Sequence, residues 1–167
     1  FTIGFIQSPP KGSQTVMFLA RIWSRLFFLF TNIRAQIRHD FTPDPKQPYI
    51  IVSNHISYID IPLLLIATSG RKMRVLAKAE MAKIPIFGWI YARGAVLVDR
   101  SNPEAREESV KKLILLLNRG ISVFICPEGT FNLTHAPLKF FYDGAFKIAI
   151  ETQKPILPIV FPDTYDR

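Results

Sequence analysis

The chain has one cysteine, Cys126, in 167 residues, which excludes an intramolecular disulfide and is compatible with a reducing compartment. Its three histidines, His39, His55 and His135, stand far apart in sequence, so there is no Cys/His cluster with zinc spacing and no metal is expected. Neither a G-x-S-x-G elbow nor a dinucleotide-binding glycine fingerprint occurs, which removes the usual serine nucleophile and the usual dinucleotide site. Acidic residues are few: 13 Asp and Glu against 21 Lys and Arg give a formal charge of +8. An anionic partner is therefore expected, whether a lipid surface, a nucleic acid or a phosphorylated small molecule. Nucleic acid has only the charge behind it, with no recognition-helix or stacking signature, and is not expected as a partner. An apolar fraction of 49% argues against disorder, and the length fits one domain with a sizeable core.

Long apolar runs are missing as well. The nearest approach is "QTVMFLARIWSRLFFLFTN", residues 14–32, but Arg21 and Arg25 interrupt it and the charge-free piece beyond them covers only 26–33. That falls short of the ~20 residues a membrane-spanning helix requires. On a helix, Gln14, Arg21, Arg25 and Asn32 return to nearly one azimuth, leaving a polar stripe on an otherwise apolar cylinder. Such a helix suits an interfacial anchor lying on anionic lipid; a core helix packed on the rest of the domain is the alternative. The expected organisation is an amphipathic membrane anchor over residues 1–40 and an α/β domain over 41–167, at the cytoplasmic face of a membrane as a peripheral or monotopic protein. The chain starts at Phe1 and stops at Arg167 just after an apolar strand-like run, the pattern expected of a domain incomplete at its C-terminus.

What the sequence does contain, from residue 48 onward, is alternation. Short apolar, β-branched runs occur at "YIIV" (49–52), "MRVLA" (73–77), "AVLV" (95–98), "ISVFI" (121–125) and "ILPIVF" (156–161), separated by helical or turn-rich pieces. This predicts an α/β fold with a largely parallel central sheet flanked by helices. The clearest helix is expected to start at Ser101, capped by a Ser-x-x-Glu box to Glu104 with Pro103 in its first turn, and to end at Gly120. A second is expected over roughly 143–153. In such sheets ligands gather beyond the carboxyl ends of the strands. His55, Lys78, the pair Asp99 and Arg100, and Glu128 follow the first four runs in turn, which marks them as pocket residues.

His55 and Asp60, in "NHISYID", are five apart, and on a continuous helix they would point about 140° away from each other. They meet only if the backbone turns between them, with His55 in a strand-to-helix loop and Asp60 capping a helix that begins at Ile61. An imidazole with a carboxylate on its second nitrogen is a general base near neutral pH. With no protein-borne nucleophile in view, the base would deprotonate a substrate hydroxyl. Cys126, among apolar neighbours, reads as a strand residue rather than a nucleophile. In "CPEGTFN", Gly129 allows close backbone approach to a ligand, Thr130 offers a hydroxyl, and Glu128 can accept hydrogen bonds from a polyol.

"NHISYID" at 54–60, "GAVLVDR" at 94–100, "PEGT" at 127–130 and "LPIV" at 157–160 resemble, in order and approximate separation, the four blocks of the glycerolipid acyltransferases, best known from 1-acylglycerol-3-phosphate acyltransferase. The stretch from Val75 to Asn102 also looks like that family's interval between its first two blocks, so the resemblance covers about residues 48–161. It implies a glycerol-3-phosphate acyltransferase-like fold and transfer of a fatty acyl group to the hydroxyl of a lysophospholipid, giving phosphatidate when the acceptor is lysophosphatidate. His55 would be the general base and Asp60 its orienting partner. Lys78 and Arg100 would bind the acceptor's phosphate, and Glu128, Gly129 and Thr130 would line the acceptor site. The implied partners are a phospholipid membrane, the lysophospholipid and the acyl donor, acyl-CoA or acyl carrier protein; no cofactor beyond that donor substrate is implied. Three positions depart from the family. Phe131 stands where an arginine usually follows the threonine, and Tyr142 and Asp143 replace a basic pair. A different acceptor, such as a lyso-aminolipid, therefore stays open, as do thioester hydrolysis and a non-catalytic lipid-binding module.

Overall fold

The computed structural model describes residues 13–84, 87–99, 101–134 and 136–164. The five apolar runs form five strands, β1 (Ile50–Ser53), β2 (Met73–Lys78), β3 (Ala95–Val98), β4 (Ser122–Ile125) and β5 (Ile156–Ile159). Between and before them lie α1 (Ser13–Phe30), α2 (Asp60–Ala67), a 3₁₀ turn at Ala79–Lys83, α3 (Phe87–Gly94), α4 (Pro103–Asn118) and α5 (Gly144–Thr152). The sheet order is β3-β2-β4-β1-β5, and all four pairings are parallel. Of the three strands with neighbours on both sides, β4 and β1 are buried along their whole length and β2 only in part, as are the edge strands β3 and β5. This is why the central strands read as continuous apolar runs: both faces of a parallel sheet are covered.

Alternate strand residues serve two cores. Ile51, Met73, Phe124 and Leu157 pack with Met17 of α1 and with Leu64 and Leu65 of α2. Ile50, Val52, Val123 and Ile125 pack with Leu113 and Leu117 of α4 and Ala145 and Ile148 of α5. Helices α1 and α2 thus cover one face, α4 and α5 the other. The chain leaving β1 runs left to β2, and the chain leaving β4 runs right to β5. The two connections leave on opposite faces, by way of α2 and α5, and neighbouring strands whose exits part in this way open a crevice at their carboxyl ends, so that the β1 and β4 loops face it.

Two helix starts differ from the sequence expectation. Ser101 does not cap α4: its hydroxyl and N–H both donate to Asp99 Oδ1. The cap is Asn102, whose Oδ1 accepts from the N–H groups of Glu104 and Ala105, with Pro103 as the first helical residue. The other end closes as expected at Gly120, at φ 75°, where the N–H of Ile121 reaches the carbonyl of Leu116 and that of Gly120 the carbonyl of Leu117, a Schellman closure. Asp60 is likewise not a helix cap but the first residue of α2, and its carboxylate turns upstream to the loop before it.

Helix α1 packs on α2 and α3 in the orientation opposite to that suggested by its polar stripe. Arg21 donates to the carbonyls of Thr68 and Arg71, and Arg25 to the Ser69 hydroxyl. Arg21 therefore points into the protein at the carbonyl end of α2, where the helix dipole favours positive charge, while Arg25, exposed, lies along the surface toward the same end. Met17, Ser24 and Phe28 are buried on the same side. Left outward are Phe18, Leu19, Trp23, Leu26, Leu29 and Phe30, with Trp23 56%, Leu29 71% and Phe30 82% exposed. Among the described residues no helix is long and apolar enough to cross a membrane. The reassigned cap gives a direct test by urea denaturation: Asn102→Ala should lower the unfolding free energy by about 1 kcal/mol, and Ser101→Ala by no more than a few tenths.

Candidate active site

The loop after β1 folds back so that His55 Nδ1 lies 2.9 Å from Asp60 Oδ2. The same oxygen accepts from the N–H of Ile56 at 2.7 Å and of Ser57 at 2.9 Å. Two consecutive amides aimed at one carboxylate require a tight turn between residues 55 and 60, which brings the five-residue spacing to contact. Asp60 is 1% exposed and His55 17% exposed. Burial alone would raise the Asp60 pKa. The His55 hydrogen bond, the Ser57 N–H, the Thr164 hydroxyl and the Ile56 N–H outweigh it, and the carboxyl stays below its ordinary 3.8. Thr164 bears on the carboxylate without reaching hydrogen-bond geometry, since Asp60 Oδ1 and Thr164 Oγ1 are both buried without a hydrogen-bond partner. An ionised carboxylate only accepts, so Nδ1 must carry the proton that is shared with it, and Nε2 is left as the basic nitrogen of the neutral ring.

His55 is held by its backbone too. Its N–H donates to Glu128 Oε1 at 3.2 Å, and its carbonyl accepts from the N–H of Asn132 at 2.7 Å. The second oxygen of Glu128 accepts from the N–H of Lys139 at 3.3 Å. Glu128, 1% exposed, thus spends both oxygens tying the β1 loop to the 131–139 segment. Gly129, at φ 75°, makes the turn that follows β4, a conformation other residues adopt only with strain. Phe131 lies against the base: its ring centroid is 4.2 Å from that of His55 and 4.7 Å from that of Tyr58.

Of the eight residues singled out by sequence, the structure brings His55, Asp60 and Glu128 into one bonded group, while Asp99 is exposed and bonded to Ser101 instead of lining a cavity with them. Lys78, Glu128, Gly129 and Thr130 line a cavity of about 280 Å³ at the same sheet edge. Arg100 lies outside the described residues. A larger groove of about 1210 Å³ runs between residues 32–45, the end of α2 and residues 157–164. Three site residues escaped the sequence reading. Asn54 exchanges two hydrogen bonds with the backbone of Phe161, joining the ends of β1 and β5. Asn132 organises the 132–136 turn through its side chain, and Lys139 lines the cavity. Asn54 and Asn132 are buried amides inside or beside the motifs, and a buried amide needs partners; that was the available signal.

The sequence model of the Acyltransferase family matches residues 31–162. The chain belongs to this family. It is 32% identical over 151 residues to a chloroplastic 1-acyl-sn-glycerol-3-phosphate acyltransferase of Brassica napus, covering 88% of this chain and 42% of the relative. It is 33% identical to the alpha form of Homo sapiens, covering 81% and 48%, and 30% identical to the enzyme of that name from Haemophilus influenzae, covering 94% and 65%. The chain thus spans less than two thirds of these relatives' length. Its fold is that of the crystal structure of the LPA acyltransferase PlsC from Thermotoga maritima, at a TM-score of 0.74 and 23% identity over 96% of this chain and 64% of that one.

For the acyltransferase fold, the lowered Asp60 pKa fixes a pH dependence. The folded state holds this proton less tightly than the unfolded one, so the contribution is complete above the unfolded value and is lost as pH falls through the folded one. Urea midpoints measured between about pH 5 and pH 2 should fall steeply for the wild type and less steeply for Asp60→Asn, which has no carboxylate to protonate.

Proposed function

We propose that the protein is a membrane-associated O-acyltransferase that moves a fatty acyl group from acyl-CoA or acyl carrier protein to the free hydroxyl of lysophosphatidate, giving phosphatidate. The observation that carries this reading is the His55–Asp60 pair, in which Nδ1 is committed to the carboxylate. Nε2 takes the proton of the acceptor hydroxyl as its oxygen attacks the thioester carbonyl. The tetrahedral centre then collapses, the carbon–sulfur bond breaks, and the imidazolium returns the proton to the leaving thiolate. Asp60 stabilises the imidazolium that forms in between, as carboxylates do in related triads. The relatives named for 1-acyl-sn-glycerol-3-phosphate support the choice of acceptor.

A second acceptor class, a lyso-aminolipid, is favoured by one observation: the aromatic ring of Phe131 stands beside the base where the family carries a guanidinium. An acceptor screen with one labelled acyl thioester separates the two. With lysophosphatidate, His55→Ala should lower turnover by about 10³-fold or more while the far-UV spectrum is unchanged; undiminished turnover would remove the base from the reaction. Donor supplied without acceptor should release little free fatty acid, whereas rapid release would make the protein a thioesterase.

Attachment to a membrane, at its cytoplasmic face, belongs to the same reading. Its support is the outward apolar face of α1, whose two arginines are turned to the other side, toward the end of α2. A contiguous exposed face of this kind marks a surface that is covered in use. In liposome flotation, the triple variant Trp23→Glu, Leu29→Glu, Phe30→Glu should leave anionic vesicles that retain the wild type, without loss of folded structure.

A further inference from the structure

The residue after Thr130 is apolar, yet the cavity beside it is not short of charge. Lys78, at the end of β2, and Lys139, ahead of α5, both line it, together with the hydroxyl-bearing Ser101 and Thr130. Its two carboxylates are Glu80, on the exposed 3₁₀ turn, and Glu128, whose oxygens are occupied by two backbone N–H groups. Phe140 and Tyr142 wall the opening. At about 280 Å³, the space approaches the range, from roughly 300 Å³ upward, of pockets that hold a small ligand.

Lys139 is placed with unusual economy. Its backbone N–H is bound to Glu128 Oε2, and the other oxygen of that carboxylate holds the N–H of His55. The same side chain therefore sets the position of the base and of the lysine. The Lys139 ammonium, half-buried, reaches back to the carbonyl of Phe131, with Nζ 3.4 Å from the oxygen. It thus delivers a positive charge at the backbone of the position that lacks a cationic side chain. The contact spans only eight residues of chain, and it leaves the face of Phe131 free to pack on the imidazole.

We propose that Lys139, with Lys78, binds the phosphate of the acceptor, taking the role of the cation missing at position 131. The assignment rests on the lysophosphatidate reading and adds to it a residue specific to this chain. A lysine is a point charge with rotatable donors rather than a bidentate fork, so the pocket binds a phosphomonoester with less geometric selection than an arginine would impose.

The test uses full-length protein and two water-soluble lyso-lipids of equal short chain, lysophosphatidate and lysophosphatidylcholine, with calorimetric binding and steady-state kinetics in parallel. Lys139→Gln should weaken lysophosphatidate binding and raise its KM by roughly tenfold or more, with kcat, the donor KM and the urea midpoint unchanged. Lys139→Arg should retain binding, and Phe131→Arg added to Lys139→Gln should recover most of the loss. Binding of the zwitterionic lipid should not respond. Unchanged lysophosphatidate binding and KM in Lys139→Gln would overturn the assignment while the reaction stands. Lys139-dependent binding of lysophosphatidate by a wild type that acylates only another acceptor would keep the anion site and sink the proposed reaction. A wild type that binds no lysophosphatidate would sink both.

Discussion

The site depends on one buried negative charge. Asp60 lies in a place where an unsolvated carboxylate would be costly, and the loop from His55 to Ser57 exists in its observed shape because it answers that charge with three donors on a single oxygen. The compensation works in both directions. The amides keep the carboxyl ionised, the ionised carboxyl fixes the histidine tautomer, and the tautomer decides which nitrogen is basic. Protonation of Asp60 would weaken its bonds to the amides and to the ring together, because a neutral carboxyl accepts less strongly than a carboxylate.

Around this centre the sheet supplies position rather than chemistry. The divergence of the chain beyond β1 and β4 clears the crevice, and Glu128 spans it, holding the backbone of the base on one side and the 131–139 segment on the other. The side chains that touch a substrate can then differ without disturbing the base. Phe131 packs on the ring of His55 instead of reaching for an anion, and the backbone bonds of His55 to Glu128 and Asn132 are intact beside it.

The strands were legible because β1 and β4, buried along their whole length, are apolar apart from one serine each: "YIIV" and "ISVFI" read directly as β1 and β4. The His55–Asp60 contact was legible from spacing, and Lys78, Glu128, Gly129 and Thr130 from their place after a strand. Helix caps were less so. Ser101 has the composition of a cap, but a carboxylate two residues upstream takes its hydroxyl first, and Asn102 inherits the task. Asn54 could not be assigned because its partner, the backbone of Phe161, is brought to it only by tertiary structure; Asn132 and Lys139 bond within the 131–139 segment, whose irregular turns carry no periodic signal. Periodicity divides α1 into a polar stripe and an apolar face without saying which one meets the protein. The end of α2 decided that, by offering carbonyls to Arg21.

The reciprocal bonds between Asn54 and Phe161 join residues 107 positions apart, and the bond that the His55 N–H donates to Glu128 joins residues 73 apart. During synthesis, β1 therefore leaves the ribosome long before either of its partner strands exists. Contacts of such separation carry a loop-closure cost that is recovered only late in folding. A growing chain has its histidine and aspartate within a few residues of each other from the start, yet the backbone that aligns them waits for the last strand. Alignment of the pair is in this sense a certificate of completed folding: a truncated or stalled chain exposes the motif without the clamp on either side of it.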